Sequence, residues 1–83
     1  MCVYGYRLEP GPGIRYRVSE DKGRTWGQEM ILRDDAASWD LGYPRVIEIE
    51  PGVLLTHYWI SLKGEKVNMN GGIRHIQCTV FRP

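Results

Sequence analysis

With 83 residues and a formal net charge of +1, the chain has room for one small domain at most. Its bulk charge offers nothing to draw it to nucleic acid or to a membrane surface. The five arginines between Arg7 and Arg33 are separated by acids, aromatics and glycines and form no basic run. No apolar run is long enough to span a bilayer. Residues 1–8 lack the basic start and long apolar stretch of a secretory signal. A domain this short buries only about 60% of the surface its unfolded chain exposes, so standing alone calls for a staple or a partner surface. Cys2 and Cys78, near opposite ends, read as two small buried apolar residues and not as a disulfide framework. No Cys/His cluster has metal-ligand spacing, so neither a metal nor another cofactor is expected.

Ten glycines, five prolines, three Trp, five Tyr and one Phe suit strands joined by tight turns, and no stretch repeats its apolar residues at helical spacing. Residues 2–8 form a first predicted strand. Glu9-Pro10-Gly11-Pro12-Gly13 is a loop, because its prolines and glycines cannot hold a ladder. Residues 14–18 alternate strictly, with Ile14, Tyr16 and Val18 on a buried face and Arg15 and Arg17 on the other. Residues 19–27 make a polar turn, 29–33 a short strand and 34–41 a loop. A strand over 43–50 ends at the Pro51-Gly52 turn, where Pro presets the first turn angle and Gly accepts positive φ. Residues 53–60 are strongly β-prone and nearly all apolar, as a central strand is. Residues 61–72 form a loop, including a solvated turn at Lys63-Gly64-Glu65-Lys66 and a Gly-rich stretch, Asn68 to Gly72, without the spacing of a phosphate site. The last strand spans 73–81, with Ile73 and Val80 as core residues. His57 and His75 sit inside strands with no partner at ligand spacing, which marks them as structural.

Six short strands at regular spacing leave sandwich, barrel and propeller open. The segment Ser19-Glu20-Asp21-Lys22-Gly23-Arg24-Thr25-Trp26 decides among them, because it fits S-x-D-x-G-x-T-W. Each defined position has a physical task in a strand-to-strand turn. Asp21 accepts backbone N–H groups, Gly23 permits positive φ, and Ser19 and Thr25 close the loop with local hydrogen bonds. Trp26 buries its ring against the neighbouring strand. These tasks account for the motif as a structural staple.

The pattern resembles the Asp-box, or BNR repeat, of sialidases and related β-propellers. The resemblance implies an all-β fold of antiparallel β-propeller blades, about one and a half blades of a sialidase-like six-bladed propeller spanning 1–83, with the Asp-box at 19–26. Tyr4-Gly5-Tyr6-Arg7, Trp39-Asp40-Leu41-Gly42-Tyr43-Pro44, Leu54 to Trp59 and Ile73-Arg74-His75-Ile76 look like the closing segment of such proteins. In that family the segment carries the third arginine of a carboxylate-gripping triad, and Arg7 stands there. It also carries the nucleophilic tyrosine, and Tyr43 stands there. A guanidinium fork pairs bidentately with a planar carboxylate. A neutral phenol activated by a glutamate avoids the repulsion that an anionic nucleophile meets at a carboxylate-bearing anomeric carbon.

Two departures from the family's pattern stand out. Tyr58-Trp59 replaces a Tyr-Glu pair whose glutamate holds a triad arginine. Pro44-Arg45 replaces a small Ser-containing sequence after the tyrosine. Two further arginines, an acid/base aspartate and the tyrosine's glutamate partner belong to earlier blades, and Asp34, Asp35 and Asp40 match none of these positions.

The resemblance therefore implies the C-terminal part of an exo-α-sialidase-like glycoside hydrolase, inactive as an isolated fragment. The alternative is a non-catalytic Asp-box propeller acting as a carbohydrate-binding or scaffold module. In either case the expected partners are a sialic-acid-like or other carbohydrate when full-length, together with the missing blades or a second copy of the chain. Met1 is then an internal methionine or a misassigned start. Trp39 is open to two readings, a sugar-stacking ring or a cap on the adjacent blade.

Overall fold

The computed structural model describes residues 1–62 and 74–83. Those residues hold six strands and no helix: β1 (Cys2–Tyr6), β2 (Gly13–Arg17), β3 (Met30–Arg33), β4 (Gly42–Glu50), β5 (Val53–Ile60) and β6 (His75–Phe81). They make two three-stranded antiparallel meanders, β1-β2-β3 and β4-β5-β6. The apolar stretch 53–60 is a central strand, paired on both sides. Predicted and observed strands overlap throughout, with ends shifted by a residue or two. Leu8 lies outside β1, next to the Pro-rich loop. Val18 lies outside β2 because its carbonyl accepts the Gly27 N–H at 2.8 Å and so closes the next loop. Ile73 and the two features expected between Lys63 and Gly72 lie outside the described residues.

The core forms where the two sheets meet. Ile14, Ala36, Leu41, Tyr58 and Ile60 are fully or almost fully buried, with Val3, Leu32 and Leu62 packed around them. Each such large apolar side chain contributes about 1.5–3 kcal/mol when fully withdrawn from water. Ala36 and Leu41 come from the 34–41 connection, which a reading for polar loops passes over. This segment is sewn to both sheets. Ala36 N–H donates to Pro12 O at 3.1 Å and Ala37 N–H to Ser61 O at 2.7 Å, and Ala36 bridges Leu62. Gly13 is required where β2 passes β3, since a Cβ there would stand 2.0 Å from Arg33 O.

The alternation expected over residues 14–18 fails at two residues, Arg15 and Val18. Arg15 was assigned to the solvent face, yet it is only 4% exposed. Its guanidinium donates to Arg33 O at 2.8 Å and Gly11 O at 2.6 Å and lies over the Tyr6 ring at 4.3 Å. Backbone carbonyls and an aromatic face replace water around the charge, which makes its burial tolerable. Val18, assigned to the buried face, is exposed instead, because the chain has already left the sheet there.

Arg33 ties the sheets together. Its Nε and Nη2 fork onto Asp35 at 2.7 and 2.9 Å. Its Nη1 donates to Gln77 Oε1 at 2.6 Å and to Tyr58 Oη at 3.1 Å. Tyr58 Oη in turn bonds Thr79 Oγ1 at 2.7 Å, and Gln77 Nε2 bonds His75 Nε2 at 2.9 Å. One side chain of β3 thus holds groups on β5 and β6. Tyr16 and Phe81 add a tilted ring contact at 5.1 Å.

The opposite face of β4-β5-β6 is open. Register places Ile47, Leu55 and Val80 in one cross-strand row, Arg45, His57 and Cys78 in the next, and Trp59 beside Ile76. Ile76 is 70% and Val80 56% exposed. Val80 is therefore an outward residue and not a core residue. Cys2 and Cys78 are free and exposed, not buried. His57 is exposed as well, while His75 keeps a structural bond to Gln77.

Candidate functional site

The 19–26 loop joins β2 to β3, two strands that pair antiparallel. Asp21 organises it. Asp21 Oδ1 accepts from Thr25 N–H and from Ser19 Oγ at 2.8 Å each, and Asp21 Oδ2 accepts from Thr25 Oγ1 at 2.5 Å. Ser19 Oγ in turn accepts from Gly23 N–H at 2.7 Å. Gly23 takes φ +93°, a conformation open to glycine without strain. The Thr25 hydroxyl, then the Thr25 N–H and the Ser19 hydroxyl, lower the Asp21 pKa to about 2. All of these bonds are internal to the turn. Trp26 departs from expectation, as it is 44% exposed. It lines an open cleft of about 370 Å³ with Val18, Glu20, Thr25 and Gly27.

A second cluster gathers at one end of the molecule, where the two sheets adjoin. Arg7 follows β1 and is exposed. Its Nη2 donates to Leu41 O at 3.0 Å and lies 3.3 Å from where a Cβ on Gly42 would stand. Gly42 adopts φ +136°, so both backbone conformation and the nearby guanidinium favour glycine there.

The next residue is Tyr43. Gly42 pairs with Trp59 and Arg45 with His57, so three steps along β4 oppose two along β5. This is a β-bulge, a device that re-aims a side chain. Tyr43 takes φ +50°, which strains any residue bearing a Cβ by roughly 1–2 kcal/mol. The result is a ring 77% exposed, stacked on Trp59 with centroids 6.2 Å apart and planes 24° apart. Arg74 completes the cluster: its guanidinium lies 5.8 Å from the Trp59 centroid and its Nη2 is 2.8 Å from Asp40 Oδ2. The Trp59 Nε1 donor is buried and finds no acceptor among the described residues.

The structure thus brings the Arg7 guanidinium against the backbone of Leu41 and Gly42, which directly precede Tyr43, although Arg7 and Tyr43 lie 36 positions apart in sequence. It places the 19–26 loop as a separate, self-bonded turn. The glutamate-paired tyrosine among the described residues is Tyr4, whose hydroxyl donates to Glu29 Oε2 at 2.5 Å. Burial first, and then this carboxylate, push the Tyr4 phenol above its ordinary pKa. That pair holds its proton and is not an activated nucleophile. Arg17 Nε also donates to Tyr4 Oη, at 3.2 Å.

Trp59 and Arg74 were not singled out as site residues from sequence. Trp59 carried a signal in its two-residue alternation with Leu55 and His57, which puts it on their face. Arg74 carried none, because its partners are fixed only by strand register and by the path of the 34–41 segment. Trp39 is 62% exposed. No group of three or more metal-ligating side chains exists among the described residues. The chain matches no family model, no curated protein and no solved structure.

Proposed function

We propose that the chain is the C-terminal part of a sialidase-like glycoside hydrolase, its two meanders being blades of an incomplete β-propeller. Arg7 would bind the substrate carboxylate, and Tyr43 would attack the anomeric carbon. The observation that carries this reading is the contact between the Arg7 guanidinium and the Leu41-Gly42 backbone. It holds a guanidinium against the two residues that precede a strained, outward tyrosine. Strain of this kind persists where the surrounding structure over-determines it, and such residues cluster at active sites. The acid/base group and the remaining arginines would come from upstream chain, so the 83 residues alone turn over nothing.

The reading is tested by following the open reading frame upstream of the Met1 codon and assaying the longer product on a fluorogenic sialoside. Further Asp-boxes, an Arg-Ile-Pro-like segment, an acid/base aspartate and a lone glutamate are expected, with activity that Tyr43→Phe reduces at least about 100-fold. Turnover by the 83-residue chain itself would overturn it, as would an upstream sequence without those residues.

The second reading is a non-catalytic carbohydrate-binding module. It is favoured by the Tyr43–Trp59 stack, which can bind a sugar without any acid/base group.

A further inference from the structure

We infer that His57 and Cys78 are half of a metal site, and that a second copy of the chain, packed face to face on β4-β5-β6, supplies the other half. The two copies together offer two thiolates and two imidazoles to one zinc-like divalent cation at the centre of a symmetric dimer.

Strand register makes the pair. His57 on β5 stands directly opposite Cys78 on β6, and residues so placed have Cβ atoms about 4.5–5.5 Å apart on one face of the sheet. Both are exposed, and the thiol is free. Thiolate and neutral imidazole are the usual ligands of zinc, which takes four of them in a tetrahedral arrangement. One copy brings two, and no group of three or more metal-ligating side chains exists among its described residues. The site is therefore incomplete until a second copy meets it.

The surroundings of the pair fit that second copy. The row of Arg45, His57 and Cys78 has apolar neighbours on both sides, Ile47, Leu55 and Val80 along one and Trp59 with Ile76 along the other. Ile47, Ile76 and Val80 are exposed. A two-fold axis laid along the polar row turns the face onto itself, so that apolar rows meet apolar rows and the His57–Cys78 pair meets its own copy. Packed sheets lie about 10 Å apart, so a metal midway is about 5 Å from each backbone layer, within reach of an imidazole and of a cysteine sulfur with its metal bond of about 2.3 Å. Arg45, at the β4 end of the row, is exposed and stays in water at the rim.

Charge and area agree with a metal at the centre. Each thiol gives its proton to solvent on binding, and two thiolates then balance one divalent cation, so the interface encloses no net charge. Seven residues of β6 in a sheet of three strands give a footprint of roughly 24 by 14 Å. That is small beside the roughly 800 Å² per partner of a standard interface. Apolar contact alone makes a weak dimer, which the metal tightens and holds in register. Neither Arg7 nor Tyr43 takes part, so the site is independent of the function proposed above.

The test is sedimentation of the reduced 83-residue chain with EDTA or with zinc, together with a cobalt(II) titration. Zinc should tighten the dimer at least about 10-fold relative to EDTA, with one ion bound per two chains. Cobalt should give the visible bands of a tetrahedral site and a thiolate charge-transfer band at the same ratio. Cys78→Ser and His57→Ala should each abolish the zinc-dependent tightening, and Cys2→Ser should retain it, with circular dichroism unchanged in all three. Association that is indifferent to zinc and EDTA, a chain that stays monomeric with zinc, or one ion bound per chain would each overturn the site. So would a thiolate band that survives Cys78→Ser and disappears in Cys2→Ser. A dimer that forms only without reductant would replace the metal with a disulfide and overturn it as well.

Discussion

Asp21 gives its turn a pH dependence whose sign follows from the direction of its shift. Its carboxyl falls from an ordinary 3.8 to about 2 because three donors favour the ionised form. The turn's contribution is therefore complete above about pH 4 and is lost as pH falls towards 2. Asp21→Asn should lower the urea midpoint at pH 7 and remove the part of the acid transition between pH 4 and 2. An unchanged acid limb in that variant would mean that other carboxylates govern it.

Tyr43 offers a second test at this scale. At φ +50° glycine is the less strained residue, so Tyr43→Gly should be more stable than Tyr43→Ala by about 1 kcal/mol, the reverse of the usual strand order. Paired denaturant titrations would read the difference.

At the scale of the element, one cation links polar groups of both sheets alongside the shared apolar core. Arg33→Met removes the donors to Asp35, Gln77 and Tyr58, and should cost about 1–3 kcal/mol, the half-exposed carboxylate adding little. Strand packing at Gly13 is less forgiving. A Cβ 2.0 Å from Arg33 O cannot be accommodated without separating β2 from β3, so Gly13→Ala should cost about 3 kcal/mol or more. Gly52→Ala meets nothing within 4 Å and is strained only through its φ of +78°, so about 1 kcal/mol is expected. Comparing the two by thermal denaturation separates steric from conformational cost.

For the molecule as a whole, the open face of β4-β5-β6 is the dominant surface feature. An apolar row with its neighbours exposed marks an interaction surface. The chain at micromolar concentration is expected to associate with itself through this exposed face. Ile76→Lys with Val80→Lys should shift sedimentation towards monomer while the sheet signal in circular dichroism is kept. A wild-type chain that stays monomeric to about 100 μM and melts cooperatively would argue for a self-contained small β domain instead.

Strand identity, the boundaries of β5 and the self-bonded loop at 19–26 were legible in the amino-acid sequence, since each depends on neighbours a few positions apart. Alternation, Pro-Gly punctuation and a side chain reaching its own backbone are local physics. The burial of Arg15, the exposure of Val80, Trp26 and Cys78, and the inclusion of Ala36 and Leu41 in the core were not legible. Each is settled by which face of which sheet meets the other. The same holds for the candidate site: Arg7 and Tyr43 were expected there from the family resemblance, but the contact of Arg7 with Leu41 and the stacking of Tyr43 on Trp59, with Arg74 beside it, came from register and from the path of the 34–41 segment. Local sequence determines what each strand is, while long-range packing determines what each strand faces, because a residue's surroundings there are supplied by partners dozens of positions away.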